Sequence, residues 1–108
     1  MKNYMVKELL SEMMEDRLEM IDRDTAILVG KIDMYTSIVD VKYENKLRDM
    51  ELINSIKAYN DEIKCLIDRI NKVELESIKI KNEKLMFTCE SRKATLINLM
   101  ICLQNKYL

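Results

Sequence analysis

Apolar side chains recur along the first third of the chain with a spacing that alternates four and three. From Met14 they fall at Met14, Leu18, Ile21, Leu28, Ile32, Tyr35 and Val39, with Thr25 in the one missing place. This is the a/d rhythm of a coiled-coil seam, sustained for about three and a half heptads. A neighbouring row, Val6, Met13, Met20, Ile27, Met34 and Val41, repeats every seventh residue and widens the apolar stripe. Such a stripe suits a helix packed against more than one narrow partner face. The rhythm passes through Gly30 without a change of phase. With Met14 at an a position, Gly30 falls at c. The sequence therefore places it as a solvent-facing helical glycine, costing about 1 kcal/mol relative to alanine.

A second seam begins near residue 52. One row, Leu52, Tyr59, Leu66, Val73, Ile80, Phe87, Ala94 and Ile101, is apolar at every seventh position. Its companion runs Ile56, Ile63 and Ile70, then turns polar at Ser77, Lys84 and Ser91. Beyond Val73 the apolar load moves to Ile78, Leu85, Leu96 and Leu99. That change of phase reads as a stutter, which locally unwinds a supercoil.

Two seams predict an all-α fold in one domain over 1–108, a long antiparallel two-helix coiled-coil hairpin. Helix 1 is expected over 3–46, the reversal within 45–54 and helix 2 over 52–106. Asn45, Asp49, Asn54 and Asn60 are the available N-caps, since their side chains accept from orphan amides. The core would hold Met14, Leu18, Ile21, Leu28, Ile32, Tyr35 and Val39 from the first helix. Leu66, Ile70, Val73, Ile80 and Phe87 would come from the second. The alternative is a single helix of about 160 Å that must oligomerise to bury its stripe.

Composition supports long helices. The 108 residues include one Gly and no Pro, with aromatics at 6% and charged residues at 34%. Turn chemistry is almost missing, which argues against a sandwich or an α/β fold. Lys+Arg number 18 against Asp+Glu 19, so no basic excess points to nucleic acid. Cys65, Cys89 and Cys102 are too scattered for a disulfide framework, and no histidine completes a metal site. They read as small apolar residues in a reducing cytosol.

The start, MKNYMVKELLSEMMEDR, is charged throughout and does not read as a signal peptide. The run LINLMICL is far short of the ~20 residues a membrane span needs. Two helices enclose no pocket, and neither a histidine nor a phosphate-cradling glycine loop is present. Carboxylate pairs such as Glu15 with Asp16, or Glu74 with Glu76, read as solvated surface. The expectation is a protein that is not an enzyme and takes no cofactor.

The chain ends, YMVKELLSEMM and ATLINLMICLQNKYL, are rich in Met and Leu. A two-helix hairpin brings them together at its open end. Met5, Leu9, Leu99 and Leu103 are thus candidates for a docking surface, because Met-rich apolar surfaces adapt to partners.

Two stretches carry a family resemblance: EDRLEMIDRDTAILVGKIDMYTSIVD and DEIKCLIDRINKVELESIKIKNEKLMFTCESRK. In the first, an acidic helix leads into an apolar A-I-L run. In the second, the apolar spacing from Ile63 to Ile70 and the aromatic Phe87 fall in the family's register. Over about residues 15 to 93 the chain resembles the central-stalk proteins of type III secretion ATPases. These form the YscO/FliJ/InvI-like group, and the virulence InvI-like branch is the most similar. The resemblance implies a cytoplasmic hairpin, peripheral at the inner-membrane secretion apparatus. It would link a hexameric secretion ATPase to the export gate's cytoplasmic domain and escort export chaperones. On that architecture, Met5, Leu9, Leu99 and Leu103 would face the ATPase. From the charge balance and the short apolar run, neither nucleic-acid binding nor membrane insertion is expected. An alternative likeness is to small helical export chaperones of the FliT/FlgN kind, which bind a secreted subunit and have three or four shorter helices. A third reading is a structural coiled coil that only oligomerises.

Overall fold

The computed structural model describes residues 2–42 and 50–108. They form three helices, α1 (Lys2–Lys42), α2 (Met50–Lys79) and α3 (Glu83–Tyr107), and no strand is found among the described residues. The all-α class stands. Without proline, nothing interrupts α1, and its hydroxyl side chains turn inward on the helix's own backbone. Thr25 Oγ1 donates to the carbonyl of Ile21 at 2.7 Å, and Thr36 Oγ1 to that of Ile32 at 2.8 Å. Polar β-branched residues are tolerated in mid-helix in this way. Gly30 sits exposed within α1, as its heptad position requires, with nothing within 4 Å of where a Cβ would stand.

α1 and α2 run antiparallel. Arg17 pairs with Glu76, Arg69 Nη1 donates to Asp24 Oδ2 at 2.6 Å, and the rings of Tyr35 and Tyr59 meet edge-on at 5.6 Å. Advance along one helix is matched by retreat along the other. The reversal expected within 45–54 falls partly outside the described residues. Positions 50–54 are already α-helical, so Asn54 lies inside α2 and caps nothing. Asn60 is likewise interior and buried in the core.

The second helical segment differs from expectation. Residues 52–106 are not one helix, because the chain turns back at 80–82. Lys81 takes a left-handed φ of 57°. Its amide donates to the carbonyl of Ile78 at 3.0 Å, and the amide of Asn82 donates to that of Ser77 at 2.9 Å. This pair of bonds is the Schellman motif, with lysine in the place that glycine usually fills. Asn82 then caps α3 by accepting from the amide of Leu85 at 3.1 Å. Its Nδ2 also donates to Ser11 Oγ on α1 at 3.0 Å. The change of apolar phase beyond Val73 therefore marks a turn rather than a stutter.

α3 folds back antiparallel to α2, with Lys93 Nζ donating to Glu74 Oε1 at 2.7 Å and to Asn71 Oδ1 at 2.9 Å. It thereby runs parallel to α1, tied by Asn82–Ser11, Arg92–Asp22 and Tyr107–Asp40. The described residues form a rod with extents of 64 × 18 × 17 Å. Ile56, Ile63, Ile70 and Val73 of α2 lie along its axis, essentially without exposure.

Most of the expected core is placed as expected. Met14, Leu18, Ile21, Leu28, Ile32, Val39, Leu66, Ile70 and Val73 are buried, and Tyr35 and Ile80 pack against them half-buried. Phe87 is the exception, at 73% exposure. The turn rotates α3 so that Leu85, Cys89, Leu96, Leu103 and Tyr107 face inward instead. The row continued from Leu52 through Ile80 is turned to solvent at Phe87, Ala94 and Ile101.

Two substitutions test this arrangement by urea denaturation. Lys81→Gly relieves the left-handed strain and is expected to stabilise by about 1 kcal/mol; a single helix through 80–82 would instead be weakened. Ile70→Asp places an unpaired charge in the core and is expected to cost at least about 3 kcal/mol.

Candidate protein-interaction face

α1 carries two apolar rows that are one residue apart, hence about 100° apart around the helix. The inner row includes Met14, Ile21 and Leu28, which are buried in the core. The outer row, Val6, Met13, Met20, Ile27 and Met34, is more than half exposed at every position. It runs from Val6 to Met34, about 42 Å at 1.5 Å per residue. Exposed Gly30 lies between Ile27 and Met34 and leaves a notch in the row. The sequence pattern predicts a broadened seam at this row. Tertiary structure instead leaves it facing outward, because α3 occupies only the other side of α1 and α2.

Three concavities follow the row along the α1–α2 side. One of about 290 Å³ is lined by Ile27, Lys31, Cys65 and Arg69 together with Asp24 and Glu62. One of about 230 Å³ joins Met20 and Arg17 to Arg69 and Lys72. One of about 200 Å³ joins Val6 and Lys7 to Ile80. Basic side chains predominate on this edge. Lys7, Lys31 and Lys72 make no ion pair among the described residues. On the opposite edge of the row stand Glu12, Asp16, Glu19 and Asp33, all exposed and also without an ion pair among the described residues. The face is thus an apolar row with one border of net basic charge, which also holds Asp24 and Glu62, and one of net acidic charge, which also holds Arg23. A row of large exposed apolar side chains repeated at heptad spacing is a candidate protein contact.

The four side chains expected to converge at an open end do not meet. Met5 and Leu9 are exposed at the N-terminal end of α1, where Val6 and Leu10 meet Ile80. Leu99 is half-buried and Leu103 buried on α3, toward the opposite end, where Tyr107 reaches Asp40. The cause is the third helix, which carries the C-terminal segment back to the far end of α1. Leu103 is therefore a core residue and not a docking one.

The titratable groups are arranged structurally. Burial raises the thiol of Cys89, with the Glu74 carboxylate adding to the effect. Such a thiol is less nucleophilic than a free one. Cys65 and Cys102 are exposed free thiols, unlike the buried apolar residues they were expected to be. Burial also raises the Tyr59 hydroxyl, helped by the neighbouring Tyr35 and Glu62. No group of three or more His, Cys, Asp or Glu side chains positioned for a metal occurs among the described residues. No helix among them is long and apolar enough to cross a membrane.

One polar cluster fixes the end of α3. Lys106 Nζ donates to Asp40 Oδ2 at 2.9 Å, and the Tyr107 hydroxyl donates to Asp40 Oδ1 at 2.8 Å. The bond from Lys106, then that from Tyr107, holds the Asp40 carboxyl below its ordinary value. A carboxylate depressed by folding stabilises above its unfolded titration range and ceases to do so as pH falls through its folded value. The last turn of α3 is therefore expected to exchange its amides faster on acidification through and below the ordinary carboxylate range. Asp40→Asn should remove that pH dependence, which residue-resolved hydrogen exchange measures.

Compared with known proteins, the chain matches no protein-family model, no curated protein and no solved structure.

Proposed function

We propose that this protein is a non-catalytic helical binding module, and that it serves a type III export system as a small chaperone for a secreted subunit. The observation that carries the reading is the exposed heptad row of α1, Val6 to Met34, beside concavities on the α1–α2 side. An amphipathic client helix laid along that strip would bury apolar residues at i, i+3, i+4 and i+7 spacing. Methionine at three of the five positions favours adaptable packing against related clients. Three helices of unequal length also fit a chaperone of this kind.

The stalk function remains as a second reading, favoured by the elongated 64 × 18 × 17 Å rod. It requires a different contact from the one the resemblance suggested, because Met5 and Leu9 stand apart from Leu99 and Leu103. In that case the exposed end of α1 alone would meet the secretion ATPase, and the rest would reach toward the export gate.

Pull-downs with purified components separate the two. The chaperone reading expects capture of a secreted subunit's terminal helix and loss of capture on Met20→Lys with Ile27→Lys. Binding only to the secretion ATPase or to the gate's cytoplasmic domain would favour the stalk. Capture of none of the three would end both export readings.

A further inference from the structure

We infer that the outer row of α1 is closed in the free protein by a second copy of this chain, which lies parallel to it along a twofold axis. The inference does not rest on the export reading, since a dimer forms whether or not a client exists.

The occupant of this face is constrained in shape and charge. Its apolar contacts must repeat every seventh residue over about 42 Å to follow the row, which a helix in a left-handed supercoil does. It must also bring acidic groups to the border that carries Lys31 and Lys72. The chain itself contains one helix with those properties, namely α1, whose other border carries Glu12, Asp16, Glu19 and Asp33.

Charge also selects the orientation. In a parallel pair each g-type border faces the e-type border of the partner helix, whereas in an antiparallel pair like borders face each other. Parallel alignment therefore sets the acidic border of each copy against the basic border of the other, twice. Antiparallel alignment would set acid on acid and base on base. In the parallel pair Met20 meets Met20 of the second copy. The adjoining Glu19 then comes opposite Lys72 of the second copy, because Lys72 lines the same concavity as Met20.

Size is adequate. A strip of about 42 Å across the 18 Å width of the bundle offers on the order of 800 Å² per copy, the amount a standard stable interface uses. The side chains involved are exposed in the single chain, so altering them leaves its core intact.

Light scattering on the full chain at about 100 µM is expected to give twice the 12.8 kDa chain mass. Met20→Lys with Ile27→Lys should weaken dimerisation by at least about tenfold while the helical circular dichroism is unchanged. The decisive measurement is a charge exchange. Glu12→Lys, Asp16→Lys, Glu19→Lys and Asp33→Lys together make both borders basic, and Lys7→Glu, Lys31→Glu and Lys72→Glu together make both acidic. Each variant alone should be monomeric, and an equal mixture should form a heterodimer. For orientation, Val6→Cys and Met34→Cys are each placed on a background of Cys65→Ser and Cys102→Ser. Each should crosslink to itself on oxidation. A monomeric wild type would overturn the inference and leave the face to another protein. So would a dimer that ignores the row substitutions, a mixture that stays monomeric, or crosslinking only between Val6→Cys and Met34→Cys.

Discussion

The amide of Asn82 donates to the carbonyl of Ser77, its side-chain oxygen accepts from Leu85, and its side-chain nitrogen donates to Ser11 on α1. These bonds end one helix, begin the next and fasten the turn to a third. They form only because Lys81 accepts a left-handed φ, at a steric cost of roughly 1 kcal/mol or more. Everything distal follows from that reversal. α3 returns along α2, Leu96 and Leu103 enter the core, Phe87 leaves it, and the two Met/Leu-rich chain ends are sent to opposite poles of the rod.

Hydrophobic burial holds this arrangement, and the ion pairs orient it. Arg69–Asp24, Arg92–Asp22 and Lys106–Asp40 are each substantially exposed, and surface pairs of that kind contribute little net stability. They nevertheless link specific positions and so disfavour slipped alignments. Lys93–Glu74 is more enclosed, and Glu74 Oε2 is buried without a hydrogen-bond partner among the described residues. Asn60 Oδ1 is in the same position inside the core. A polar side chain in an apolar seam weakens packing yet penalises every alignment that buries it worse, the same device that fixes register in coiled coils.

A helix with two apolar rows cannot bury both against a pair of neighbours that stand on one side. In this rod the inner row of α1 is buried in the core, and the outer row is left exposed. The proposed client binding and the inferred self-association would use the same surface. Their competition would couple release of the second copy to arrival of a partner. The acidic and basic borders add selectivity, since charge complementarity governs orientation and partner choice more than raw affinity.

The helical class, the inner seam of α1 from Met14 to Val39 and most of the α2 seam are legible in the residues alone. So is the exposed helical place of Gly30. These are local consequences of 3.6-residue periodicity and of an almost complete lack of turn residues. The second reversal, the rotation that exposes Phe87 and the exposure of the Val6–Met34 row emerge only when the helices pack. A turn built on lysine and asparagine has no glycine or proline to announce it, and a change of apolar phase is shared by stutters and turns alike. Which of two adjacent apolar rows lies inside depends on how many helices pack and from which side. Periodicity along one helix carries no record of that number.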